Sequence, residues 1–573
     1  MGIHQVLKQF WGYDNFRPMQ EEIIRSVLDK KDTLALMPTG GGKSVCFQVP
    51  ALSLPGICLV VSPLIALMKD QVSNLRKRGV KAVAIVSGMG KREIDILLDN
   101  CIYGDIKFLY ISPERLLSDL VRERIRYMNV SLIAVDEAHC ISQWGYDFRP
   151  PYLQLTRLRE IHPGVPVLAL TATATEQVAG DIQDKLLFKE RNVFRSSFER
   201  SNLRYVVSRE TDKAGKLLAV ARNVPGSGIV YVRNRRATQE VALMLNRAGI
   251  VADYYHAGLE LEIRNKRQED WKAGRTRVIV ATNAFGMGID KGDVRFVVHL
   301  DLPDSLEAYY QEAGRAGRDE NKAFAVLLYQ EEDVRQLQKK LEDSYPAIEE
   351  IKAVYHYLAN YYQLAYGAGE GLVLPFDAGD FCRRYKLEAL KTIQALKFLE
   401  RDEYIALSES VYLPSRVQVL LSPEELYRFQ IENQEYDFFL KTLLRMYGGI
   451  YDHYLPVKEK DLAGRIQTSR EKVGAVLQRL NQLQVISYLP QTDKPQLQFL
   501  KGRSDMEHLV LDRKFIAERQ RVHSAQVGAV IRYAETRECR NRQLLAYFNE
   551  EALQECGVCD VCLERKRASQ AAG

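Results

Sequence analysis

Between residues 30 and 185 short apolar runs alternate with helical periods, and near residue 225 the alternation begins again. TLALM, ICLVV, KAVAIV, KFLYIS, LIAVDE and VLALTA each read as a buried strand, with amphipathic stretches such as IALMKDQVSNLRKRG and PERLLSDLVRERIRYM between them. GIVYV, ADYYH, RVIVAT, RFVVHL and FAVLLY repeat the pattern up to about residue 330. Strands that alternate with helices pair in parallel, since the crossover each parallel connection needs is the helix itself. The sequence therefore predicts two α/β domains in tandem. Beyond 335 the alternation stops and helical periods dominate, with AYGAGEGL (365–372) and KGRSD (501–505) as joints and a disordered tail, RKRASQAAG.

MPTGGGKS (37–44) lies between a strand and a helix, the setting a phosphate-binding loop requires. Backbone N–H groups of Thr39, Gly40, Gly41 and Gly42 can approach phosphate oxygens, Lys43 can reach the β- and γ-phosphates, and Ser44 can ligate Mg²⁺. Asp136 and Glu137 end the strand LIAV, where one carboxylate can hold Mg²⁺ and the other can deprotonate an attacking water. QEAGRAGRD (311–319), in the second α/β domain, offers arginines to the γ-phosphoryl group, with Arg318 as the finger and Arg315 beside it on the phosphates.

No apolar run approaches the ~20 residues of a membrane span, and MGIHQVLKQFWGYD lacks the regions of a signal peptide, so the expected location is cytoplasmic. A net charge of +6 points only weakly toward an acidic partner.

Taken in order, FWGYDNFRPMQEEII (10–24), MPTGGGKS, VVSPLIALMKDQ (60–71), YISPERL (110–116), AVDEAHCISQWGYDFRP (134–150), ALTATAT (169–175), VIVATNAFGMGIDK (278–291) and YYQEAGRAGRD (309–319) resemble the motifs of the RecQ DNA helicases, of helicase superfamily 2. The resemblance spans about residues 7 to 330 and implies two RecA-like domains, ATP as substrate and DNA unwinding with 3′ to 5′ polarity in recombination and repair. It implies that Tyr13 and Arg17 sandwich the adenine and that Gln20 hydrogen-bonds it. It also implies that the aromatic segment after DEAH contacts single-stranded DNA through Trp144, Phe148 and Arg149, that Thr282 is a further DNA contact, and that His139 and Gln143 relay between that segment and the ATP site. The chemistry suits the role, because exposed rings stack on bases and an arginine meets a phosphate. The implied partners are single-stranded DNA and duplex or forked DNA, bound by a monomer. Two other functions fit the same motifs: a DNA-stimulated translocase or annealing remodeller with little strand separation, and a DNA-binding scaffold with a vestigial motor.

Of nine cysteines, five are scattered, whereas Cys539, Cys556, Cys559 and Cys562 lie within 24 residues, the last three at intervals of two residues. Four thiolates close a tetrahedral Zn²⁺ site of structural type. CGVCDVC also matches the start of a ferredoxin run, but no cysteine or proline follows at the ferredoxin position. The spacing also resembles the RecQ zinc module. Here the chain departs from the family plan, since roughly 200 residues separate the motor motifs from the cysteines.

Within that stretch 376–420 and 458–500 both read as winged-helix patterns, the second with QTDKP (491–495) as wing tip; helical packing modules without DNA contact are the alternative. The expected division is 1–198 and 199–335 for the RecA-like domains, 336–425 for a helical linker and first winged-helix-like segment, 426–510 for a second winged-helix-like domain, and 511–573 for the zinc module and tail. Segments 348–364 and 515–540 are expected to pack near each other against the motor, with about 370–510 as an inserted duplex-binding arm.

Overall fold

The apolar runs pair as two parallel sheets. Strands β1 (Thr33–Leu36), β2 (Ile57–Val61), β3 (Ala82–Ile85), β4 (Phe108–Ile111), β5 (Val130–Val135), β6 (Val167–Thr171) and β7 (Val193–Arg195) form the first, in the order β3-β4-β2-β5-β6-β1-β7. Strands β8 (Leu203–Arg209), β9 (Ser227–Tyr231), β10 (Ala252–Tyr255), β11 (Val278–Ala281), β12 (Val294–His299) and β13 (Ala323–Tyr329) form the second, in the order β10-β11-β9-β12-β13-β8. The central strands β1, β2 and β4 are buried along their whole length, which is why they lack the polar alternation of a half-exposed sheet. This computed structural model describes residues 2–38, 40–63, 65–86, 89, 91–142, 148–286, 291–407, 415–451, 455–490 and 496–571. No described helix is long and apolar enough to cross a membrane.

The chain divides into two units, Met1–Leu341 with Glu518–Gly573, and Glu342–Ala517. In the first, the two sheets make two lobes joined by the connector 196–202. The C-terminal part of helix Arg513–Glu535 belongs to the second lobe, where Val527, Val530 and Tyr533 fill its core beside Trp271, Tyr309 and Leu337. The tail expected to be disordered is helical from Asp560 to Ala571.

The second unit is nested. Strands β14 (Val373–Pro375), β15 (Ile405–Leu407), β16 (Arg416–Val419), β17 (Leu455–Pro456), β18 (Ile486–Leu489) and β19 (Gln496–Phe499) make two three-stranded sheets, β14-β19-β15 and β17-β16-β18. An outer lobe therefore closes around Phe381, Leu396, Ile405, Leu497 and Phe499, and an inner lobe, 415–490, around Val417, Leu440, Leu477 and Ile486. This corrects two expectations. QTDKP lies outside the described residues, but the strands flanking it join different sheets, so no hairpin wing forms between 486–489 and 496–499. The boundary expected at 425 falls inside the inner lobe, because β16 pairs with β18. The expected meeting of 348–364 with 515–540 is seen within this unit, where Ile351, Tyr355 and Leu358 of helix Ile348–Tyr361 share the outer lobe's core with Ile516.

Candidate functional site

The loop after β1 ends at Gly42, the N-cap of helix Lys43–Ser53, with φ of 78°. A side chain there would meet Gln20 Nε2 at 2.4 Å, so the loop closes only on glycine. The first N–H groups of the helix point toward the loop mouth and suit an anion. Gln20 Nε2 donates to the carbonyls of Gly41 and Gly42, at 3.2 Å each, and its oxygen accepts from the Arg17 N–H at 3.0 Å. Gln20, expected on the base, thus commits its amide to the loop itself. The Arg17 guanidinium donates to the Gly40 carbonyl at 2.7 Å, and Tyr13 presents an exposed ring. Thr39 lies outside the described residues.

Lys43 Nζ lies 3.4 Å from the Met37 carbonyl. Burial draws its ammonium below its ordinary range, while the charges of Glu137 and Asp136 pull it back up. Ser44 Oγ accepts from Gln71 Nε2 at 2.8 Å, and Gln48 donates in turn to the Gln71 oxygen at 2.8 Å. Asp136 keeps a solvent edge, yet its surroundings push its carboxyl up to about 7, through burial first and the neighbouring Glu137 second. Glu137 holds a left-handed backbone, φ 48° and ψ 48°, a strained conformation for a residue with a side chain. Its Oε2 is buried with no hydrogen-bond partner among the described residues, 3.4 Å from His139 Nδ1. His139 Nδ1 is hydrogen-bonded to Thr171 Oγ1 at 2.8 Å.

The second lobe reaches this site twice. Arg318 Cγ is 3.2 Å from where a Cβ on Gly40 would stand, so the arginine lies directly on the phosphate loop. Gln311 Nε2 donates to Thr173 Oγ1 at 3.2 Å, and the Thr173 N–H donates to Thr171 Oγ1 at 3.3 Å. A continuous polar path thus runs from Gln311 through Thr173, Thr171 and His139 to the side of Glu137. Arg315 takes another direction from Arg318. It is buried near Tyr231 and lines a cavity of about 760 Å³ with Arg149, Arg233, Asn283 and Arg519. Of the two arginines, Arg318 is the one seen against Gly40.

Gln143 and Trp144 lie outside the described residues, but both ends of their segment are tied to the carboxylate turn. The Arg149 N–H donates to the Cys140 carbonyl at 2.9 Å, and Tyr152 OH donates to the Asp136 carbonyl at 2.9 Å. Phe148 is half-buried beside Arg149. Thr282, at the end of β11, is buried and offers little surface to a strand.

Far along the chain, the ligand atoms of Cys539, Cys556, Cys559 and Cys562 lie within 4.8 Å of one another. Cys539 is the N-cap of helix Arg540–Tyr547. Arg540, itself buried, pairs with Asp560 at 3.1 Å, and Asp560 accepts the Val207 N–H of β8 at 3.2 Å. Four mutually adjacent thiols, with a buried ion pair fixing their frame to the second lobe, fit one tetrahedral Zn²⁺.

Family models match in the order of these parts: DEAD/DEAH box helicase at 17–181, helicase conserved C-terminal domain at 211–320, RecQ helicase winged-helix domain (Bacteroidota) at 417–490 and RecQ zinc-binding at 496–563. The ATP-dependent DNA helicase RecQ of Haemophilus influenzae is 45% identical over 337 residues, 59% of this chain and 54% of that one. The chain belongs to the RecQ helicase family. A second RecQ relative, the probable ATP-dependent DNA helicase RecS of Bacillus subtilis, is 43% identical over 331 residues, 57% of this chain and 66% of that one. The chain spans about half the length of the first curated RecQ relatives it matches. Among solved structures, S. cerevisiae Dbp5 bound to RNA and ADP BeF3 superposes with a TM-score of 0.48 at 19% identity, covering 58% of this chain and 90% of that one.

The RecQ-family winged-helix match coincides with the inner lobe; it takes in 458–490 of the second winged-helix pattern read from sequence but only 417–420 of the first. Sequence reasoning did not single out Gln71, Tyr152, Thr171, Thr173 or Gln311. Each sits in or beside a recognised segment, and only side-chain direction singles it out.

Proposed function

We propose that this chain is an ATP-driven DNA helicase that moves 3′ to 5′ along single-stranded DNA and separates duplex ahead of it, serving recombination and repair. The observation that carries the reading is Arg318 of one lobe lying on Gly40 of the other, across from Lys43, Asp136 and Glu137. Catalytic parts divided between two lobes are complete only when the lobes meet, and that makes hydrolysis sensitive to whatever moves them.

In this reading the phosphate loop and Lys43 hold the triphosphate, while Tyr13 and Arg17 flank the base. Glu137 accepts a proton from the attacking water; its unpartnered Oε2 is the available acceptor. Arg318 faces the charge that spreads over the γ-phosphoryl oxygens. Ser44 and Asp136 would hold Mg²⁺, which would neutralise phosphate charge; two adjacent, largely buried carboxylates facing Lys43 fit that ion. Phe148 and Arg149 offer a ring and a cation to a DNA strand. The ties of Arg149 to Cys140 and of Tyr152 to Asp136 support a route by which a bound strand shifts Glu137. The inner lobe would grip duplex, and the four thiols would hold Zn²⁺.

The test is strand displacement on duplexes with a 3′ or a 5′ single-stranded tail, beside hydrolysis with and without single-stranded DNA. Unwinding of the 3′-tailed substrate alone is expected. Stimulated hydrolysis without displacement on either substrate would assign a translocase or annealing remodeller instead.

A further inference from the structure

The two lobes are joined by the connector 196–202, and this segment does not run free across the surface. Phe198, within it, is 1% exposed. Its ring stacks on Phe548 at 4.6 Å and meets Tyr310 edge-on at 5.7 Å. Tyr310 OH donates to the Phe198 carbonyl at 2.8 Å. The carboxylate of Glu550 accepts two hydrogen bonds from the connector, from the Ser197 hydroxyl and from the Phe198 N–H at 2.8 Å. The neighbouring Asn549 accepts the Glu176 N–H at 3.2 Å, at the start of first-lobe helix Glu176–Lys185.

Asn549 and Glu550 are placed by the end of helix Arg540–Tyr547. Asn549 has φ of 60°, its N–H donates to the Ala546 carbonyl at 3.1 Å, and the Glu550 N–H donates to the Leu545 carbonyl at 2.9 Å. That is a Schellman turn with asparagine in the left-handed position. The other end of the same eight-residue helix is capped by Cys539, one of the four thiols. One short helix therefore carries a metal ligand at its first turn and the connector's partners at its last.

The connector in turn grips the turn that bears the finger. Arg200 Nη2 donates to the Gly317 carbonyl at 2.9 Å and Asn202 Nδ2 to the same carbonyl at 2.7 Å, one residue before Arg318.

We propose that helix Arg540–Tyr547 and its terminal turn are a hinge clamp: the thiol site fixes one end on the second lobe, and Asn549 and Glu550 hold the connector and the first lobe at the approach from which Arg318 meets the phosphate loop. Glu550 is thus a positioning residue, since it touches neither nucleotide nor DNA in the proposed mechanism. The clamp rests on the motor reading for its effect on hydrolysis, but not for its effect on the connector.

The experiment compares full-length wild type with Glu550→Ala and Glu550→Gln. Amide hydrogen exchange of 196–202, zinc content, and kcat and KM for ATP with single-stranded DNA are the readouts. Losing a charged acceptor that serves two donors should speed exchange of the connector by about tenfold or more in Glu550→Ala. Zinc should stay at one per chain, kcat should fall about tenfold, and KM for ATP should change less than about twofold, because the loop that binds nucleotide is untouched. Glu550→Gln, which keeps one acceptor oxygen, should lie between. Unchanged exchange in Glu550→Ala overturns the clamp. Faster exchange with zinc lost overturns it too, by assigning Glu550 to folding of the thiol module. Faster exchange with unchanged kcat shows that the connector has no hold on Arg318, which also overturns it. A wild type without DNA-stimulated hydrolysis defeats the motor reading, while exchange still decides the clamp.

Discussion

Replacing Asp136 by asparagine should stabilise the metal-free protein while ending its hydrolysis. Folding raises this carboxyl from its ordinary 3.8 to about 7, by burial and by Glu137. A group raised by folding favours the fold fully below its unfolded value, and that contribution is lost as pH rises through the folded value. Over the interval from 3.8 to about 7, at about 1.4 kcal/mol per tenfold change in proton affinity, the ionised carboxylate costs the fold about 4 kcal/mol at most. Asp136 keeps a solvent edge and Lys43 would lose a partner, so about half, ~2 kcal/mol, is the expected gain of Asp136→Asn at pH 8. For a lobe of this size that is about 4–8 °C in the first unfolding transition. The assay is thermal unfolding in chelator from pH 4 to 8, followed by the same series with Mg²⁺. The gap between variant and wild type should be near zero at pH 4, open through pH 7, and narrow when Mg²⁺ compensates the wild-type charge. A variant less stable than wild type at pH 8, or a gap independent of pH, would refute the reasoning.

Arg318→Ala should lower hydrolysis by about 10³-fold or more with DNA binding retained, whereas Arg315→Ala, on the Arg149 side, should weaken DNA stimulation more than basal turnover; steady-state rates with and without DNA separate the two. Phe148→Ala should keep basal hydrolysis and lose about tenfold in stimulation by single-stranded DNA, as expected for a stacking contact of ~1–3 kcal/mol; undiminished stimulation would make the ring mere packing. Metal analysis should find one zinc per chain, and Cys559→Ser should lose it together with protection of the C-terminal helices, whereas iron with visible absorbance would replace zinc by a cluster. Leu407 pairs with Leu497, so the chain leaves and re-enters the outer lobe at adjacent positions on either side of 408–495. A short Gly/Ser turn in their place should leave the outer lobe folded and hydrolysis intact while weakening duplex binding, most visibly through a lost salt dependence in a binding titration.

The two parallel-sheet lobes and the phosphate loop were legible because their information is local. A strand buried on both faces is an apolar run, and a phosphate loop is a string of glycines before a lysine. What could not be read depends on direction or partnership. Arg315 and Arg318 are the same residue type three positions apart, and only the turn between them sends one to Gly40 and the other toward Arg149. Strands β18 and β19 flank a turn-like segment and look like a hairpin, yet their apolar faces belong to different cores: Ile486 joins Val417, and Leu497 joins Ile405. Cysteine spacing announced the thiol site. Glu550 carried no signal, being one acid of a pair that becomes special only beside Phe198.

The nesting of the chain sets a timetable for its synthesis. The second parallel-sheet lobe is encoded early, but Val527, Val530 and Tyr533 of its core arrive only after Glu342–Ala517 has been made. From 342 to 517 is 517 − 342 + 1 = 176 residues, about 10–35 s of elongation at ~5–20 residues per second. Throughout that time Trp271, Tyr309 and Leu337 border an unfilled apolar face, while the inner lobe, local in sequence, can close at once. A ribosome that stops within the second unit therefore releases every motor motif in a chain with a sticky, half-built lobe. Insolubility of such a fragment would report the missing wall rather than a defective engine.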